Sequence, residues 1–93
     1  MSQDSGTSIW DVLEDSPAEA VTMKLRSKLM MALEQHIKAR NWTQAEAARR
    51  LGVTQPRISD LKRGKIDLFA LDGLVQMALA AGLTVDLQIR DAA

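Results

Sequence analysis

Between Gln55 and Lys65 the chain sets an amide, a hydroxyl, a carboxylate and several cations on one short segment, with no histidine or cysteine beside them. If Ile58 and Leu61 face inward, the helical step of about 100° per residue turns Pro56, Ser59, Asp60 and Arg63 outward, with Gln55, Arg57 and Lys62 on the flanks. A helix face that is polar along its whole length can be plain solvated surface. Its setting favours recognition chemistry: small alanines and a glycine precede it, inward aliphatics anchor it, and arginine stands among its polar groups. That conjunction points to a helix presented to duplex DNA, where such groups meet phosphates and base edges.

The flanking residues supply the elements that would hold this face. Thr43-Gln44-Ala45-Glu46 has the form of a capping box, in which the Thr43 hydroxyl accepts from the Glu46 N–H and the Glu46 carboxylate reaches back to the N–H of Thr43. A helix is predicted from Gln44, with Ala47, Ala48 and Leu51 buried, and Ala48 small enough to let a second helix cross closely. Gly52 ends it in the left-handed conformation, and Val53 plugs the turn. Thr54 caps the next helix, Pro56 lies in its first turn, and Gly64 terminates it. Two short helices joined by a tight, glycine-containing turn form a helix-turn-helix pattern.

Net charge is zero, but its distribution is uneven. Before residue 21 there are five acids and no Lys or Arg; from Lys24 to Lys65 there are eleven bases against three acids; acids predominate again beyond. The two short helices thus lie in the basic segment, as a phosphate-contacting surface requires.

The stretch Trp42 to Val75, WTQAEAARRLGVTQPRISDLKRGKIDLFALDGLV, preceded by Met23-Lys24-Leu25-Arg26, resembles the XRE (Cro/C1-type) helix-turn-helix family, and within it the HigA-type antitoxins and their solo regulator relatives. The resemblance covers most of the chain from about Ile9 onward. It implies sequence-specific binding of double-stranded DNA at an inverted-repeat operator, repression of the protein's own operon, and neutralisation of a small basic RelE-like toxin. Carried onto matching positions, it places Thr43, Gln44, Thr54, Gln55, Arg57, Ser59, Asp60, Lys62, Arg63 and Lys65 at the DNA. Gln44 would meet a phosphate at a helix N-terminus. Gln55 would pair with adenine N6 and N7, and Arg57 with guanine or a phosphate. Asp60 would accept from cytosine N4 or pair with Arg57 or Arg63 on the helix. Arg63 and Lys65 would clamp the backbone. At Pro56 the chain departs from the resemblance, since many relatives of this fold carry a polar reader there.

Residues 1–15 form an acidic arm expected to be weakly ordered, in which Ile9, Trp10, Val12 and Leu13 stand among Asp11, Glu14 and Asp15. This cluster either folds back on the domain or forms the toxin-binding arm of an antitoxin. Ser16-Pro17-Ala18-Glu19 opens a long helix with Val21, Leu25, Leu29, Ala32, Leu33 and Ile37 as its predicted core face, Met23, Met30 and Met31 as gap fillers, and an end near Arg40-Asn41 with Trp42 in the junction. Lys65 to Phe69 reads as a linker or single turn, after which Leu71, Leu74, Val75 and Ala78 resume helical spacing up to Ala81-Gly82. Leu83, Val85, Leu87 and Ile89 then alternate with polar residues as in a strand. No second strand is evident in the sequence, so pairing with the same strand of a second copy is the expectation.

Ninety-three residues suit one domain of a size at which dimerisation aids stability, and 46% hydrophobic with 26% charged residues is ordinary globular composition. His36 is the sole histidine and there is no cysteine, so neither a metal template nor a nucleophile triad can be assembled; no enzyme activity, cofactor or metal is expected. The longest apolar stretch is too short to span a bilayer and the N-terminus has no hydrophobic signal core, which favours the cytoplasm. The expected architecture is all-α: four to five helices in a DNA-binding unit over residues 16–82, then a dimerisation strand and tail over 83–93 that closes a homodimer as an antiparallel ribbon. A free-standing regulator without a toxin and a protein-interaction adaptor are the alternatives.

Overall fold

The computed structural model describes residues 16–92. Four helices, α1 (Pro17–Ala39), α2 (Gln44–Leu51), α3 (Gln55–Lys62) and α4 (Leu71–Ala80), follow in order, with a 3-10 turn (Ile66–Leu68) between α3 and α4. α1 packs chiefly on α4 and α2 on α3. Leu33, Ile37, Leu51, Ile58, Leu61, Phe69 and Leu74 meet in one core, to which Ala47, Ala48 and Ala78 contribute the small surfaces that let helices cross closely. Each large aliphatic buried there stabilises by about 1.5–3 kcal/mol, so Ile58 and Leu61 together fix the rotation of α3 about its axis.

Three of the four helices start on a side-chain cap. The hydroxyls of Ser16, Thr43 and Thr54 accept from the N–H of Glu19, Glu46 and Arg57 at 3.0, 3.1 and 3.4 Å. All four end alike. A residue in the left-handed region (Asn41, Gly52, Gly64, Gly82) lets the next N–H reach the carbonyl five positions back, in the bonds Trp42 to Ile37, Val53 to Ala48, Lys65 to Asp60 and Leu83 to Ala78. Trp42, Val53 and Leu83, each just past such a turn, pack against the core, so the stop signal and the hydrophobic plug are the same local device.

The predicted core face of α1 is corrected by the structure. Met30, Leu33 and Ile37 are its buried residues, whereas Val21 is 55% exposed, Ala32 is exposed, and Leu25 and Leu29 are half-buried. The reason is rotation: with Met30, Leu33 and Ile37 inward, the helical step of about 100° per residue turns Leu29, Leu25, Ala32 and Val21 progressively to one side. Apolar positions of α1 on that side line an open groove of about 460 Å³ with Leu71 and Val75 of α4 and with Val85 and Leu87 of the tail.

Beyond Leu83 the chain carries no helix or strand up to residue 92. Period-two alternation supplies side-chain faces but no ladder partner, and a strand exists only by pairing. In the single chain Val85, Leu87 and Ile89 are therefore exposed instead of burying a common face on the helices.

Candidate nucleic-acid interface

The turn between α2 and α3 depends on Gly52, whose φ of 73° and ψ of 32° close the first helix while its N–H donates to the Ala48 carbonyl. An L-residue there would carry the left-handed strain of about 1–2 kcal/mol. Thr54 leaves this turn extended and caps α3, so its hydroxyl, like that of Thr43, is committed to the backbone. Both threonines of the expected DNA-contacting set thus act first as caps that aim helix N-termini.

α3 brings Gln55, Lys62 and Arg63 to exposed positions, with Lys65 exposed just past Gly64. Ser59 and Asp60 are half-buried, as is Gln44 at the start of α2. Asp60 resolves its alternatives toward Arg63, whose Nη2 lies 3.7 Å from Oδ1 in a loose ion pair at three-residue spacing. Arg57 takes another route: its guanidinium carbon sits 4.2 Å from the centroid of the Phe69 ring, which is itself 2% exposed.

The basic residues of α2 are engaged within the helix. Glu46 does not complete the expected capping box; its carboxylate accepts from Arg49 Nη2 and Arg50 Nε, both at 2.6 Å. Two guanidinium groups at three- and four-residue spacing outcompete a single backbone N–H for one carboxylate. Hydrogen bonds from Arg49, then Arg50, hold the Glu46 carboxyl below the usual carboxylate range. The cluster therefore contributes above that range and is lost as pH falls through it, with a small weight because water screens it. Arg50 also lies 5.2 Å over Trp42, whose ring meets His36 edge-on at 5.3 Å. His36 Nε2 lies 3.0 Å from the Ala81 carbonyl, so the proton must be on Nε2 and the histidine ties α1 to the end of α4.

Two contributors escaped the sequence reading. Phe69 lay in a stretch read as a linker or single turn, and the 3-10 turn is there; the signal for burial was the chain's one phenylalanine. Arg26 belongs to the basic stretch of α1; its Nη1 makes long bonds of 3.5 and 3.4 Å to the carbonyls of Ile66 and Phe69, tying the 3-10 turn to α1. The dimerisation set divides: Leu83 packs on the core, while Val85, Leu87 and Ile89 stay exposed. Ile9, Trp10, Val12 and Leu13 lie outside the described residues. No group of three or more potential metal-ligating side chains comes together among the described residues, and no helix there is long and apolar enough to cross a membrane.

Capped paired helices, a left-handed turn and an exposed polar second helix define a helix-turn-helix domain, and the helix-turn-helix domain family matches residues 12–90. A solved structure assigned as an XRE family transcriptional regulator is similar at 32% identity over 78% of this chain and 82% of that chain, with a TM-score of 0.73. The chain belongs to the XRE-type helix-turn-helix family. Among curated proteins no significant match is found.

Proposed function

We propose that this protein is a sequence-specific DNA-binding repressor that acts as a homodimer on an inverted-repeat operator, and that it is the antitoxin of a pair whose operon it regulates. The observation that carries the DNA-binding reading is α3 itself. Ile58 and Leu61 are sunk in the core, while Gln55 and Lys62 on α3, and Arg63 and Lys65 just past it, are exposed, Arg63 in a loose ion pair with Asp60. Gln55, at the start of α3, reads a base; Lys62, Arg63 and Lys65, toward its far end, contact phosphates.

The second copy supplies what the single chain lacks. Residues 84–90 make no backbone–backbone hydrogen bond among the described residues, Ile89 is exposed, and the exposed Leu87 lines a groove with Leu25, Leu29, Leu71 and Val75. Antiparallel pairing of two such segments satisfies both ladders with one self-complementary patch, closes the groove, and holds two recognition helices about 34 Å apart.

The antitoxin role draws on the HigA-type resemblance and on an N-terminal arm that combines acids with four large apolar residues, suited to a small basic RelE-like toxin. Gel shifts on the upstream promoter, with and without residues 1–15, test the parts separately. Operator binding should survive the deletion while rescue from a toxin encoded next to the gene is lost. Retention of rescue would remove the arm from toxin binding. A chain that binds no duplex at all would leave the adaptor role.

A further inference from the structure

Resting on the DNA-binding reading, we propose that Arg57 is a phosphate clamp whose direction is set by the ring of Phe69, which makes Phe69 a positioning residue for DNA contact although it lies outside the helix-turn-helix. Ile58 and Leu61 point into the core, so the helical step leaves Arg57 on the flank of α3 and not on the outward side with Pro56 and Arg63. A helix lying in the major groove offers its outward side and its first turn to base edges, while its flanks face the phosphate walls. Arg57 lies in the first turn of α3 but on its flank, and its contact with the buried Phe69 ring draws the guanidinium toward the inner side of the helix, which favours the phosphate over a base edge.

Stacking leaves the chemistry of the clamp intact. The guanidinium carbon is 4.2 Å from the Phe69 centroid, and no acceptor among the described residues takes up its N–H donors, which remain available. Arg57 has no carboxylate partner among the described residues, whereas Arg49, Arg50 and Arg63 each have one. The platform is anchored in turn. Phe69 is buried, its N–H donates to the Ile66 carbonyl at 3.1 Å, and its own carbonyl accepts from Arg26 Nη1 at 3.4 Å. Arg26 on α1, the 3-10 turn, Phe69 and Arg57 thus form one run of contacts that presents a pre-ordered cation at the edge of α3. Ordering before binding removes part of the conformational cost that a free arginine meets on contact.

The test uses the full chain, a duplex carrying the palindrome recovered by selection with the wild-type protein, and a scrambled duplex, titrated by fluorescence anisotropy between 50 and 300 mM NaCl. Each phosphate contact adds about 0.9 to the salt slope; if electrostatic binding vanishes near 1 M salt, one contact is worth about five-fold at 0.15 M. Arg57→Ala should weaken both duplexes alike by about that factor and flatten the slope by about 0.9 per protomer. Phe69→Leu, which keeps the site apolar but removes the aromatic face, should reproduce much of the loss, and the double variant should be no weaker than Arg57→Ala. Arg57→Lys should keep the slope while losing part of the affinity. Helical circular dichroism checks the fold of each variant. Should Phe69→Leu unfold, Phe69→Met and Arg26→Gln ask the same question, and each should lose affinity only when Arg57 is present. An unchanged slope for Arg57→Ala, or losses that multiply in the double variant, overturns the clamp while leaving DNA binding in place. A loss confined to one base position overturns it in favour of base reading. A wild-type chain with no salt-dependent duplex binding sinks this proposal and the reading beneath it together.

Discussion

Leu87→Lys should convert the proposed dimer to monomer at the concentrations at which that dimer would form. In the single chain Leu87 is 73% exposed and lines the groove between α1 and α4. Burying a leucine side chain completely stabilises by about 1.5–3 kcal/mol, so covering the exposed part contributes about 1.5 kcal/mol per protomer and about 3 kcal/mol per symmetric dimer. That corresponds to about a hundred-fold rise in the dimer dissociation constant, before any cost of placing an ammonium in an apolar groove. Sedimentation velocity across a dilution series reads the shift directly. Helical circular dichroism should hardly change, since the core residues on all four helices lie elsewhere. Operator affinity should fall with dimerisation, because the two half-sites are then bound one at a time. A Leu87→Lys protein that dimerises over the wild-type concentration range would place the interface on another surface, with the exposed face of α4 around Leu79 next in line.

Two further outcomes follow from the interface and its turn. Gln55→Ala should cost about 1–3 kcal/mol on the operator and relax preference at one position per half-site, whereas Arg63→Ala should weaken operator and scrambled DNA alike and flatten the salt slope; equal losses on both duplexes for Gln55→Ala would remove it from base reading. Gly52→Ala should lower stability by about 1–2 kcal/mol in urea melts through backbone strain alone, since a Cβ there meets nothing within 4 Å; an unchanged midpoint would mean the turn relaxes out of the left-handed region.

The parts of the fold written in short-range chemistry were legible in the chain. Ser16, Thr43 and Thr54 announce helix starts, and Gly52, Gly64 and Gly82 announce helix stops, because caps and left-handed turns are settled within a few residues. The rotation of α1 was not legible. Its sequence holds two apolar stripes, and only tertiary packing decides that Met30, Leu33 and Ile37 face the core while Val21 and Ala32 turn away from it. The Phe69 platform was hidden for a related reason, since its stacking on Arg57 and its tie to Arg26 join residues from three separate elements. Glu46 shows a local rule losing to a local rival, with two arginines drawing the carboxylate away from its own helix start. For residues 83–90 the alternation is plain in the sequence, but a strand needs a ladder partner, and the described residues supply none.

The most direct test of the central claim is the salt-dependent affinity of the wild-type chain for its own promoter palindrome beside a scrambled duplex of equal length. Phosphate contacts by Lys62, Arg63 and Lys65 in each half-site give a slope of log affinity against log salt near −5, steeper by about 2 with Arg57 as a fourth, and sequence reading should make the palindrome about a thousand-fold tighter. A shallow slope with equal affinity for the two duplexes would contradict the account, and the exposed side of α3 would then be only a solvated face.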